Sequence, residues 1–304
     1  MNVVQFVLIL LPVFIIFGIG FIGQKVIGFD PRNISTMALY LMSPFLAFRT
    51  FYKNSIDMDY LYLTIYGLGL CFGLIAIVYI VSYFKKYSRS ETSSMILSSV
   101  FMNNGNYGTP VALFAFGAAG FDVAVIFMII QQLIMSTIGI YYAAKGSDRQ
   151  EGARVALMAV VRMPIMYGAI LGIILQLIHF HFPRQIYKAI DMISDATVPT
   201  IMIILGMQLA TISLRNLELE KMTISLIIKF ILSPLIATAF AFLLPVSEVV
   251  RNIMILMAAM PTAANTTMFA LQFNAKPEFV SSVTLVSTLM SIITLPIMLY
   301  ILGV

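Results

Sequence analysis

Ten apolar runs, each about twenty residues long and separated by short polar turns, fill the chain, and about twenty apolar residues is the length of helix that crosses a bilayer's hydrocarbon. The runs cover residues 4–23, 34–51, 60–84, 92–116, 122–144, 155–178, 187–212, 222–244, 249–273 and 279–302. No turn between them is long enough for a water-soluble domain. Such a chain is expected to be an all-α polytopic membrane protein, because a backbone in lipid must satisfy its own hydrogen bonds.

Composition agrees. Apolar residues make up 61% of the 304 and charged residues 10%, whereas a soluble domain carries roughly 25% charge. The net charge of +5 does not point to nucleic acid, because Lys and Arg stand singly or in small groups at the ends of the runs. Cys71 has no partner for a disulfide or a cysteine metal cluster. The first run has no basic residue before it and no small-residue cleavage site, so it reads as a membrane span and not a signal peptide.

With ten spans, both termini fall on one side. That side collects Arg49, Lys53, Arg184, Lys188 and Arg251. The other collects Lys25, Arg32, Lys85, Lys86, Arg89, Lys145, Arg149, Arg154, Arg215, Lys221 and Lys276. The excess of positive charge predicts that the second side is cytoplasmic, in a cell membrane, with both termini outside.

The connecting loop 145–154 divides the chain into halves, 1–144 and 155–304. Pro12 and Pro164 lie 152 residues apart, Pro44 and Pro199 155, and Asn104 and Pro261 157. Five spans per half is odd, so a second copy of the same fold enters the membrane from the opposite side. That is an inverted repeat.

The fourth run contains Phe101-Met-Asn-Asn-Gly-Asn-Tyr-Gly-Thr-Pro110, and the ninth contains Met260-Pro-Thr-Ala-Ala-Asn-Thr-Thr267. Proline and glycine break helix, and unwound backbone at membrane depth is tolerated only beside protein or a watery cavity. Interrupted spans at matching places of two halves point to a transporter's binding site. New half-helix N-termini suit a carboxylate, and the opposing bare carbonyls suit Na⁺ or water. The candidate site is Asn103, Asn104, Gly105, Asn106, Gly108, Thr109 and Pro110 with Pro261, Thr262, Asn265, Thr266 and Thr267. Asparagine supplies donor and acceptor without charge; the same amides also serve to cap helices or join them. Gln208 is preferred over Gln131, Gln132 and Gln272 as a further polar lining residue.

At these motifs the chain resembles the auxin efflux carrier family, which includes plant auxin carriers and bacterial malate or malonate permeases. The resemblance extends to Phe116-Gly117, Ser43-Pro44, Val198-Pro199 and Leu205-Gly-Met-Gln-Leu209. It implies a five-plus-five inverted repeat whose fourth and ninth helices unwind and cross at the substrate. The short central loop, and Asn103-Asn104 where the plant proteins have proline and asparagine, favour a bacterial organic-acid carrier over auxin transport.

Arg162 and Lys229 fall within spans near their cytoplasmic ends and are expected to snorkel; an anion-attracting vestibule is the alternative. Helix capping accounts for Asp122, Asp191 and Asp195 as well as proton coupling does. His179 and His181 read as an interfacial turn and not a metal site. No cofactor motif or catalytic constellation is present, so an enzyme is not expected. The expected activity is carriage of a small organic anion such as malate, with H⁺, Na⁺ or no coupling ion, and with a homodimer open. A passive channel or membrane-embedded sensor is the alternative, and saturation with counterflow separates a carrier from a pore.

Overall fold

The computed structural model describes residues 3–54, 57–146, 158, 161–212 and 218–304, all helix and connecting turns apart from one isolated bridge. Arg149, Arg154, Arg215 and the start of the sixth run at Val155 lie outside the described residues. Among those described, six helical stretches are long and apolar enough to cross a membrane: Leu10–Ile27, Met58–Lys85, Asn104–Lys145, Arg184–Thr211, Leu219–Leu243 and Pro277–Leu302. Their outer faces carry side chains that water would not tolerate in such number, among them Val26, Phe72, Ile80, Leu243 and Ile301, all exposed.

In chain order the helices are α1 (Val3–Ile27), α2 (Pro31–Met37), α3 (Ser43–Lys53), α4 (Met58–Lys85), α5 (Arg89–Ser99), α6 (Thr109–Ile134) and α7 (Ile140–Lys145). There follow α8 (Pro164–Leu177), α9 (Arg184–Thr211), α10 (Leu219–Ile227), α11 (Ser233–Leu243), α12 (Glu248–Ala258), α13 (Ala264–Phe273) and α14 (Pro277–Leu302). Gly117 interrupts α6 at φ 67° and ψ −157°, a conformation open to glycine because it has no Cβ.

Four π-helical turns interrupt the helices: Ala38–Met42, Met135–Gly139 and Ile228–Leu232 each join two helices end to end, and Asn104–Gly108 opens α6. Three are followed at once by a hydroxyl residue and proline: Ser43-Pro44, Thr109-Pro110 and Ser233-Pro234. Proline cannot donate to the preceding turn and its ring clashes with that turn's carbonyl, so the backbone widens. The adjacent hydroxyl often takes the freed carbonyl, as Ser43 Oγ does on Ala38 O (2.9 Å) and Thr109 Oγ1 on Gly105 O (2.7 Å).

The helices sort into two bundles. In the first, α1 lies along α9, and α3 lies along α8, with almost no side chain between them. A Cβ on Gly20 would sit 2.0 Å from Ile203 O, and one on Gly206 2.0 Å from Phe17 O. Likewise one on Gly168 would meet Pro44 O at 2.1 Å, and one on Gly172 would meet Phe48 O at 2.6 Å. Small residues let backbones approach where lipid gives no hydrophobic drive to association. The second bundle holds α4 to α7 and α10 to α14 around Tyr66, Met95, Leu97, Tyr107, Met254 and Met257.

Ion pairs between described residues all lie inside one bundle. Arg49 of α3 reaches Asp191 (3.5 Å) and Asp195 (2.5 Å) of α9, so both aspartates are ion-pair partners well inside the helix and not its caps. At the opposite end Lys221 contacts Glu91 and Glu218, Lys276 contacts Glu218 (2.9 Å) and Glu91 (3.4 Å), and Lys85 contacts Glu220 (2.6 Å). The Lys221 ammonium, hydrogen-bonded to Glu91, holds that carboxyl at about 2, well under its ordinary 4.5; partial burial opposes this, and Ser88 and Lys276 add to it.

Candidate functional site

Helix α5 ends at Ser99 and α12 at Ala258, and the four or five residues after each leave helical geometry. These two extended segments cross and pair. Met102 and Thr262 form an antiparallel bridge. Asn103 N donates to Pro261 O (2.8 Å), and Ala263 N donates to Phe101 O (3.0 Å), a reciprocal pair. Each segment thus satisfies the other's backbone, which would otherwise cost several kcal/mol per group in a lipid-like interior.

Beyond the crossing the chain re-enters helix at Asn104 and at Ala264, and neither start has a side-chain cap. Both border a cavity of about 280 Å³ between the two bundles. The second bundle contributes Asn103, Asn104, Gly105, Asn106, Gln131, Gln132 and Asn265; the first contributes Ser43, Thr197 and the apolar Leu39, Tyr40 and Ile201. Asn103 Nδ2 and both amide atoms of Asn104 are buried with no hydrogen-bond partner. Buried amides are rarely left unpaired. Their donors, with two helix N-termini of partial positive charge, make a neutral anion-receptive surface.

The other candidates fall elsewhere. Gly108 packs against Met257 and Met260, and Thr109 holds its own turn. Pro110 is buried, and Pro261 supplies the carbonyl that Asn103 N uses. Thr262 bonds Ser98 O (2.5 Å) through its hydroxyl and Ser287 Oγ (3.1 Å) through its amide. Thr266 Oγ1 turns back to Ala263 O at 2.7 Å. These residues build the crossing and do not line the cavity.

Gln208 and Thr267 line a second, larger space of about 830 Å³, with Asp30, Arg32, Ser281 and Glu278 at the Lys221 end of the molecule. Leu39, Asn265 and Met268 border both spaces, so the vestibule adjoins the cavity at Asn265. The glutamines divide between the two spaces: Gln208 lines the vestibule and donates to Ser35 Oγ (3.2 Å), Gln131 and Gln132 line the cavity, and Gln272 is exposed. At the other end Arg49, Lys53, Asp122 and Asp195 surround a space of about 530 Å³ that shares no lining residue with the cavity. Asp122 thus lies inside α6, opposite Asn54 and Lys53, and is not a helix cap.

Two features escaped the sequence. Met102, Met128, Met135, Met163 and Met268 wall the cavity with an adaptable apolar surface. The snorkelling expected of Lys229 is also overturned: the side chain is fully buried and Nζ donates to Phe101 O at 2.9 Å. Arg162, by contrast, is exposed in the turn before Pro164. His179 and His181 lie in the turn between α8 and α9, and no group of three potential metal ligands occurs among the described residues.

The chain is similar in sequence to known transport proteins. A family model described as membrane transport protein matches residues 6–299. An uncharacterised transporter of Methanocaldococcus jannaschii is 26% identical, over 97% of this chain and 96% of its own. A Rhizobium meliloti protein provisionally named a malonate transporter is 24% identical over 96% and 94%. Auxin efflux carrier component 8 of Arabidopsis thaliana is 31% identical over 39% of this chain and 34% of its own. A multi-pass helical chain matched nearly end to end in this way belongs to the membrane transport protein family, that of the auxin efflux carriers.

Proposed function

We propose that the protein is a secondary carrier for a small organic anion, working by alternating access at the crossing of two broken spans. The observation that carries this reading is the pairing of unpartnered Asn103 and Asn104 amides with two uncapped helix starts around one cavity between two bundles. Among the described residues no Lys or Arg lines that cavity, so the cargo's charge is met by oriented dipoles and amide donors. Its volume lies at the small end of the roughly 300–1,000 Å³ of ligand sites, which suits a metabolite such as malate or malonate. The relative named for malonate supports the same class.

An inverted repeat of ten spans, 1–144 and 155–304 joined by 145–154, accounts for the packing. Gly20 and Gly172 are 152 residues apart, as are Pro12 and Pro164; Ile203 and Phe48 are 155 apart, as are Pro199 and Pro44. Exchanging the halves therefore carries the contact of Gly20 on Ile203 onto that of Gly172 on Phe48. The reciprocal hydrogen bonds at the crossing have the same two-fold character.

Alternating access follows as movement of the crossover bundle against the first. The excess of Lys and Arg assigns the Lys221 end to the cytoplasm of a cell membrane, and the vestibule there makes this conformation open inward. Uptake of radiolabelled malate and malonate into proteoliposomes tests the reading. Saturable uptake stimulated by unlabelled anion on the far side is expected. Flux that neither saturates nor shows counterflow would replace the carrier with a channel.

A further inference from the structure

Two carboxylates stand at matching places in the two halves. Immediately after the fourth and ninth runs come Gly117 (φ 67°) and Asn274 (φ 55°), left-handed residues with the same separation of 157 as Asn104 and Pro261. Asp122 follows five residues beyond the first, and Glu278 follows four beyond the second, in the opening turn of α14. Their surroundings match as well. Asp122 borders the outer space with Lys53 and Phe114, and Glu278 borders the vestibule with Gln208 and Leu271. Lys53 and Gln208 are 155 apart, as are Pro44 and Pro199, and Phe114 and Leu271 are 157 apart.

The two carboxylates meet different things in this conformation. Asp122 belongs to the crossover bundle and faces the first: the Asn54 side chain, just past α3, donates to it, and Lys53 and Arg49 of α3 add their charge at longer range. Tyr60 of α4 closes the same seam, with its ring centroid 5.5 Å from that of Phe51 and its hydroxyl 3.4 Å from Asn54 O. Partners of this kind offset the cost of taking a carboxylate out of water. Glu278 lies at the open end. Across the vestibule from α14, Gln208 of α9 gives one N–H to Ser35 Oγ (3.2 Å) and keeps a second to give. Asp30, the other carboxylate among the described lining residues, is committed to the start of α2, where it accepts from Arg32 N and Asn33 Nδ2, each at 3.0 Å.

In a carrier built from an inverted repeat, exchanging the conformations of the halves turns an inward-open state into an outward-open one. Contacts that shut one end therefore have images that shut the other. We infer that Asp122 and Glu278 are the paired gate carboxylates of the carrier: Asp122 against Asn54 and Lys53 shuts the outer end, and Glu278 moving against Gln208 shuts the cytoplasmic end. The gates are unequal. Ile204 stands at the image of Arg49 and Gln208 at that of Lys53, so the outer gate sets cations of α3 against its carboxylate where the inner one has an amide of α9. The state shut outside is accordingly favoured at rest. The inference rests on the inverted-repeat, alternating-access reading for its symmetry and on the contacts of Asp122 for its chemistry.

The experiment follows one buried position at the outer end. Ser194 lines the outer space and is fully buried in this conformation. In full-length protein carrying Cys71→Ala, Ser194→Cys is labelled from outside with a membrane-impermeant maleimide in the absence of cargo. Asp122→Asn and Lys53→Gln are each expected to speed labelling at least roughly tenfold, the scale of one hydrogen bond to a charged group. These two substitutions remove opposite charges, so an effect on the ionisation of the thiol alone would move them in opposite directions. Glu278→Gln and Gln208→Leu, across a hydrocarbon layer of roughly 30 Å, should slow labelling severalfold by weakening the state that exposes Ser194. A packing role would not give opposite signs at opposite ends. Opposite responses to Asp122→Asn and Lys53→Gln, or no response to either, overturn the outer gate; unchanged or faster labelling in both Glu278→Gln and Gln208→Leu overturns the inner one. Asn54→Ala, which removes no charge, takes the place of an outer variant that fails to fold, and either inner variant decides its end alone. Saturable uptake with unmoved labelling would keep the carrier and remove the gates. Labelling that moves as expected in protein carrying neither malate nor malonate would keep the gates and remove that cargo.

Discussion

The amides at the crossing are the residues on which the proposed binding surface turns. Asn104 has no hydrogen-bond partner for either amide atom, so replacing it removes no side-chain hydrogen bond from the fold. Asn104→Ala and Asn265→Ala are expected to lower uptake at least roughly tenfold, as loss of a hydrogen bond to a charged group costs about 1.5–3 kcal/mol, with membrane insertion and Tm little changed. Wild-type uptake by both variants would remove these residues from the site. The asparagines stood out in the sequence as amides among helix breakers at depth, and Asn103, Asn104, Asn106 and Asn265 do come together on one cavity. Lys229 was not: its distance from the span end fits snorkelling, and its partner Phe101 is 128 residues away. The spacing Ser225, Lys229, Ser233 was the available signal, a polar stripe at helical period with no aqueous face to serve.

Among the elements, the paired helices of the first bundle are the most exacting. A side chain at Gly20 or Gly206 would overlap a backbone carbonyl that no rotamer change can move. Gly206→Val should lower stability by more than the roughly 1–3 kcal/mol of ordinary overpacking, read as a fall in Tm of the purified protein. At the α5, α10 and α14 starts the Glu91 cluster makes a pH prediction. A carboxyl held lower in the folded protein stabilises it above the ordinary 4.5, and that stability drains away as pH falls towards about 2. Glu91→Gln is therefore expected to lower Tm at neutral pH and to flatten its decline across that window. A Tm that falls equally steeply in both proteins would place the acid sensitivity elsewhere. The all-helical character was readable from the apolar runs, and proline, glycine and asparagine stand just beyond the points where α5 and α12 stop. The π-helical turns were not read, although Ser43-Pro44, Thr109-Pro110 and Ser233-Pro234 mark three of them; a widened turn follows from proline's missing donor and not from hydropathy.

For the whole molecule, the two spaces that meet at Asn265 define a direction of entry. Cys71 is buried and is the chain's one cysteine, so Cys71→Ala gives a cysteine-free background for single labels. Ser281→Cys in the vestibule is expected to react with a membrane-impermeant thiol reagent from the cytoplasmic side alone, and cargo that draws the protein into its other state should slow that reaction. Labelling from outside would reverse the orientation. The bundle arrangement itself was beyond the sequence, since runs of similar hydropathy do not say which helices pack together. Close glycine contacts and ion pairs confined within bundles do say so. The boundary between the bundles is consequently a plane without ion pairs between described residues, its cavity faced largely by thioether and hydrocarbon. Added electrolyte would loosen the charged lattices at the two ends and leave that plane untouched. On the proposed alternating-access reading, the acyl-chain length of the surrounding lipid, which acts on the exposed flanks of both bodies at once, becomes the natural regulator of how fast one moves past the other.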